Sequence, residues 1–164
     1  MSEKKSGIEK VKEFMEMSKQ VINIKPCLVN RELAEFRFKL IREENSELLQ
    51  AVEEEDLTEV LDALVDLQYV LYGAVLTFGM QDVWEKAFEE VHINNMTKAC
   101  KTEEEADATI EFYLKQGISV FVEKVNDLYV IYRTSDKKVM KSIDYIPVSL
   151  SKFVQDVTSD KSSR

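Results

Sequence analysis

The sequence predicts an all-α domain of four to five helices, followed by a small β-hairpin or three-stranded appendage. Three observations carry this reading. Only four glycines and two prolines occur in 164 residues, too few turn formers for an all-β design. Apolar residues recur at helical spacing through most of residues 1–116. At Gly117 the pattern changes to short runs rich in β-branched and aromatic residues.

The first helix is expected over Ile8–Val21, with Ile8, Val11, Phe14 and Met15 near one side. Lys25-Pro26-Cys27 then reads as a loop. Asn30 is a suitable N-cap for a second helix reaching about Glu54. The acidic run Glu53–Asp56 forms a hinge, and a third helix follows from Leu57 to Phe78, stopped by Gly79. A fourth starts at Gln81 or Asp82 and continues towards Lys98, with Trp84 and Phe88 at helical spacing in its core face. Thr102 with Glu105 fits a capping box for a fifth helix, Glu103–Gln116. Ile118–Val125 and Leu128–Arg133 read as strands around an Asn126-Asp127 turn, and Lys138–Ser142 as a third short strand. The organisation is therefore a helical domain over 1–116, a β appendage over 117–150 and a polar, disordered tail over 151–164.

The net charge of −9 disfavours a general nucleic-acid binder, because such a surface repels phosphate backbones. A small phosphorylated substrate stays open, since bound metal reverses the local sign of a site. No apolar run is expected to reach transmembrane length, and the N-terminus carries no apolar signal-peptide core. Cys27 and Cys100 form no motif. A cytoplasmic protein without membrane or nucleic-acid partners is the expectation.

The chemistry lies in carboxylates placed where core residues belong. On the second helix Phe36, Leu40, Glu43, Glu44, Glu47, Leu48 and Ala51 fall along one stripe, apolar at its ends and acidic in its middle. On the third, Glu59, Asp62, Asp66 and Tyr69 share a side of a helix that is apolar nearly all round and so expected to be central and buried. Buried carboxylates cost several kcal/mol unless they are neutralised, paired or bound to a cation. Hard oxygen donors at this density suit magnesium, with manganese as a substitute. A solvated face with salt bridges to Arg37 or Arg42 would account for one or two of the glutamates, but not for Asp62 and Asp66 in the most apolar helix.

These residues resemble a known signature. Glu43-Glu44-x-x-Glu47 followed by Glu59-x-x-Asp62 is similar to the paired motif of the all-α nucleoside triphosphate pyrophosphohydrolases. That superfamily comprises MazG proteins, dimeric dUTPases and phosphoribosyl-ATP pyrophosphohydrolases. The likeness is nearest to small MazG-like proteins of phages and bacteria. It runs through Arg37, Leu40–Leu48 and Asp62–Gly73, and Val91–Lys98 resembles their Ser-Asn-Met-Ser-Lys stretch. Gly117–Leu150 resembles their C-terminal extension.

The resemblance implies a MazG-like bundle, assembled as a homodimer or dimer of dimers with a site near the interface. It implies magnesium on Glu44, Glu47, Asp62 and Asp66, with Glu43 or a metal-bound water supplying the nucleophile. Glu59 and Asp66 remain alternatives for completing the ligand set, because the Glu47–Glu59 spacing is short for the family. Asn95, Lys98, Tyr69 and Arg37 are the implied substrate contacts: an asparagine can read a base or sugar edge and a lysine can pair with phosphate. The implied reaction is cleavage of a (deoxy)nucleoside triphosphate to monophosphate and pyrophosphate, a nucleotide-pool house-cleaning role, with dUTP or dCTP favoured by analogy. Two other readings stay open: a non-catalytic helical interaction module, and a nucleotide-binding sensor. His92, the single histidine, is expected to cap or pack a helix end.

Overall fold

The computed structural model describes residues 4–154. Their contacts divide the chain into two compact units, one ending at Glu85 and one spanning Lys86–Lys152. Five helices and a two-stranded antiparallel hairpin are present among the described residues, as the sequence predicts.

In the first unit α1 spans Gly7–Met17. A capping box opens it: Ser6 Oγ accepts from the Glu9 N–H at 3.4 Å, and Glu9 accepts from the Ser6 N–H at 2.7 Å. The helix stops four residues short of the expected Val21. Ser18 turns its hydroxyl onto the Phe14 carbonyl at 2.8 Å, and Lys19 adopts a left-handed φ of 54°. Helix α2 (Arg31–Glu53) begins where Asn30 accepts from the Leu33 N–H at 2.9 Å. Helix α3 (Leu57–Thr77) is capped by Asp56, which accepts from Thr58 and Glu59 at 2.9 and 3.2 Å. Gly79 (φ +69°) ends this segment; a Cβ there would lie 2.0 Å from the Lys25 carbonyl, so no other residue fits.

The 20–30 loop satisfies the last carbonyls of α3. Asn23 N donates to Leu76 O at 3.0 Å, Cys27 N to Phe78 O at 3.0 Å, and Asn23 Nδ2 to Thr77 O at 2.6 Å. The core beside it is Val11, Met15 and Leu76, flanked by Ile8, Ile22 and Tyr72. Burial on α3 is therefore uneven. Gly73, Val75, Leu76 and Thr77 are buried, whereas Leu57, Leu61, Leu64 and Val65 are exposed in the single chain. The expectation of a helix buried all round is corrected: only the C-terminal half lies under α1 and the loop. By length and composition α3 could cross a bilayer, contrary to the expectation that no segment could. Asp62 and Asp66 lie within it, however, and each charge at a bilayer centre costs about 2.5–3.5 kcal/mol.

The second unit contains all but the first two residues of α4 (Trp84–Met96), which starts after a turn at 81–83 and not at Gln81 or Asp82. Phe88 is exposed there, not packed. Helix α5 (Glu103–Lys115) is capped by Thr102, but Glu105 takes the Lys101 N–H at 2.8 Å, so the expected capping box is displaced by one residue. Strands β1 (Val120–Val125) and β2 (Leu128–Arg133) pair from Val120↔Arg133 to Val125↔Leu128 around Asn126, whose φ is 54°. Of the third strand only a bridge, Tyr132↔Val139, forms; a second bridge, Cys100↔Tyr129, was not legible in the sequence. Cys100, Ala106 and Ile131 form the core of this unit. Ser151–Phe153 make one 3-10 turn within the expected tail; residues 155–164 lie outside the described residues.

Candidate active site

The site is built on the α2–α3 hairpin. The connection Glu54-Glu55-Asp56 is only three residues long and turns through Glu55 at φ 57°, folding α3 back along α2. Residues equidistant from the turn therefore face each other: Glu44 lies ten residues before Glu54 and Asp66 ten after Asp56.

On α2 the inward stripe is Arg37, Leu40, Glu44, Leu48 and Ala51: Arg37 and Ala51 are buried, the others half-buried. Phe36, Glu43 and Glu47 are exposed, which corrects the stripe read from the sequence by about one residue. On α3 the seam is lined by Ala63, Leu67, Val70 and Gly73, whereas Glu59, Asp62, Asp66 and Tyr69 lie on the exposed side. The small residues Ala51 and Ala63 let the helices close, so most carboxylates rim the seam and only Glu44 enters it. The cost of burying four carboxylates consequently falls on one residue.

The electrostatics follow this geometry. The Glu44 carboxyl is held above its usual range by desolvation first, then by repulsion from Glu47, Asp66, Glu43 and Asp62. Carboxylates from both helices thus converge on Glu44. None of the ion pairs among the described residues involves them, so neither Arg37 nor Arg42 neutralises the cluster. Glu59 stands slightly apart: with Glu47, Gln50, Ala51 and Glu54 it lines an open cavity of about 250 Å³.

Among the described residues no three acidic or imidazole groups close into a ready-made cation cage. The donor set still fits magnesium in one respect. That ion takes hard oxygens, keeps several waters, and is commonly held by one or two carboxylates together with substrate phosphates.

Arg37 does not reach the carboxylates. It is 4% exposed; Nε donates to Thr77 Oγ1 at 2.8 Å, and Nη2 donates to Gln20 Oε1 at 2.8 Å and approaches Met15 Sδ at 3.8 Å. Burial alone lowers its pKa, with no acid opposing. Tyr69 is half-exposed and meets Phe14 edge-to-face, with 5.9 Å between ring centroids. Asn95 (exposed) and Lys98 (half-buried) belong to the second unit, at the end of α4, as does the exposed His92. Sequence reasoning missed Gln20 and Thr77, the neutral partners of Arg37, because they lie 17 and 40 residues away. The usable signal was Arg37 itself, seven residues before Glu44 on the same face.

Two comparisons with known proteins found likenesses, and one of them is located on this hairpin. The phosphoribosyl-ATP pyrophosphohydrolase family model matches residues 11–95, and the chain belongs to that family. The matched segment contains the C-terminal part of α1, all of α2 and α3 with every carboxylate of the cluster, and nearly all of α4. An uncharacterized protein of Acanthamoeba polyphaga mimivirus is 32% identical over 101 residues, which is 61% of this chain and 39% of that protein. The chain thus spans about two fifths of the length of this curated relative.

Proposed function

We propose that the protein hydrolyses a (deoxy)nucleoside triphosphate with magnesium: water is consumed, the α–β phosphoanhydride bond breaks, and a nucleoside monophosphate and pyrophosphate leave. The observation that carries this reading is the environment of Glu44, a half-buried carboxyl repelled by four other carboxylates, none of them in an ion pair among the described residues. Family membership supports the same reading.

Glu44, Glu47, Asp62 and Asp66 would hold the ion, with Glu59 as a further ligand on the side of the open cavity. When bound, magnesium neutralises charge on the phosphate oxygens and on the leaving pyrophosphate. Glu43 is exposed beside the cluster and serves as the base that takes the proton of the attacking water. Asn95 and Lys98 are assigned to the substrate on the strength of their motif alone. House-cleaning of a surplus or noncanonical nucleotide is the proposed role, and a pyrimidine deoxynucleotide such as dUTP or dCTP is the substrate that analogy favours.

The hairpin also supports self-association. Phe36, Phe38, Leu49, Val52, Leu57, Leu61, Leu64 and Val65 are each between 45% and 81% exposed in the single chain, an excess that a second copy would cover. A homodimer or dimer of dimers is proposed, and a monomer in light scattering at micromolar concentration contradicts it. The free thiols Cys27 and Cys100 suit a cytoplasmic setting. The test of the reaction is a panel of canonical and modified triphosphates with magnesium, read by pyrophosphate release. Release with at least one nucleotide, absent in chelator and in Asp66→Asn, is the expected result. Nucleotide binding without turnover across the panel would favour a sensor instead.

A further inference from the structure

Arg37 presents a second anomaly, separate from the carboxylates. Its guanidinium is buried on the apolar seam of the hairpin, yet its partners among the described residues are all uncharged: Thr77, Gln20, Met15 and the Phe36 ring, 5.4 Å away. A buried charge without a counter-charge costs several kcal/mol. A guanidinium carries five N–H donors and no acceptor. Nε and Nη2 are engaged, which leaves the Nη1 amino group. It sits over Gly73, where an added Cβ would come within 3.0 Å of it.

Arg37, Gly73 and Gln20 line a cavity of about 70 Å³, and Phe14 and Tyr69, both partly exposed, are among its other lining residues. The cavity thus combines a donor-only group in its wall with two aromatic rings that reach solvent. It is too small for a nucleoside, but it admits the edge of one ring. Its position is informative. Arg37 and Glu44 lie on one face of α2, seven residues or roughly 10 Å apart along the axis, about the reach of a nucleoside from α-phosphate to base. On α3, Tyr69 follows Asp66 on the exposed side, and Gly73 lies in the seam about two turns beyond Asp66.

We propose that this cavity is the base-reading subsite, in which the Arg37 Nη1 amino group donates to a ring carbonyl of the substrate's base. The ring packs on Phe14 and Tyr69. The site then prefers bases whose reading edge offers a carbonyl oxygen, such as uracil or hypoxanthine, over adenine, which turns an amino donor towards the guanidinium. Glycine at 73 is the residue that leaves Nη1 its room. This assignment rests on the nucleotide reading given above.

The test is isothermal titration of the full chain in chelator with uridine, inosine and adenosine, for the wild type, Arg37→Lys and Gly73→Ala. Arg37→Lys keeps the charge but loses the fork; Gly73→Ala keeps the helix and crowds Nη1, and it remains informative if the first variant does not fold. The expected result is binding of the carbonyl nucleosides at least about tenfold tighter than adenosine. That preference should be lost in Arg37→Lys and reduced in Gly73→Ala. Equal affinities in the wild type, or a preference unchanged in both variants, overturns the proposal. So does stabilisation by sodium chloride or nitrate that depends on Arg37 and excludes every nucleoside equally, since the cavity is then a free-anion site. Because neither metal nor turnover enters the measurement, base preference without hydrolysis would reject the hydrolase reading and leave this one standing.

Discussion

Replacing Glu44 by Gln removes one charge from the point where the carboxylates converge while keeping the shape of the side chain. Like charges neighbouring on a helix surface each cost about 0.2–0.5 kcal/mol. Glu47 is one such neighbour of Glu44; Asp66, Glu43 and Asp62 repel it as well, and desolvation is the largest cause of its raised pKa. The metal-free variant is therefore expected to be more stable than the wild type by about 1 kcal/mol, discounted for solvent and salt screening. In a chain of this size that raises Tm by about 2–4 °C. Magnesium at a hundredfold its Kd adds about 2.7 kcal/mol to the wild type by linkage, whereas the variant, short of a ligand, gains much less. The assay is four melting curves: two proteins, each in chelator and in magnesium. The variant should melt above the wild type in chelator, and the order should narrow or reverse in magnesium. A variant less stable by the same margin in both conditions would mean that Glu44 serves a structural contact, and would refute the reasoning.

The pH dependence carries its own sign. The folded-state pKa of Glu44 is raised, so its ionisation is a penalty that is present above the raised pKa and absent below the ordinary carboxylate range. The advantage of Glu44→Gln in metal-free melting should accordingly shrink as pH falls through that window, and a constant gap from neutral pH to pH 4 contradicts the assignment. Asp66→Asn, at an exposed position, should abolish pyrophosphate release while shifting Tm less than Glu44→Gln does. Leu76→Ala empties part of the small Val11–Met15–Leu76 core and should cost about 2–5 kcal/mol in chemical denaturation. A loss under 1 kcal/mol would show that this core does not hold the first unit together.

The fold was largely legible because its elements announce themselves chemically. Asn30, Thr102 and Gly79 mark helix ends through hydrogen bonds and a positive φ that depend on neighbours in sequence. The end of α1 was not legible, since it turns on Ser18 competing for a helix carbonyl and on a lysine accepting a left-handed conformation. The third strand was reduced to a bridge because local β-propensity does not determine how far pairing extends. At the site, the convergence of carboxylates from two helices was readable from spacing, but their depth was not. A stripe displaced by one residue rotates the face by about 100°, which decides that Glu44 enters the seam and Glu43 and Glu47 do not. The isolation of Arg37 depends on Gln20 and Thr77, whose nearness only the tertiary structure reveals.

The central claim is tested most directly by phosphorus-31 NMR of a triphosphate that the protein consumes, followed with magnesium present and again after chelation. The account predicts growth of a nucleoside monophosphate resonance matched one-to-one by pyrophosphate, ceasing in chelator. Growth of a diphosphate with free phosphate, or turnover indifferent to the metal, would contradict it.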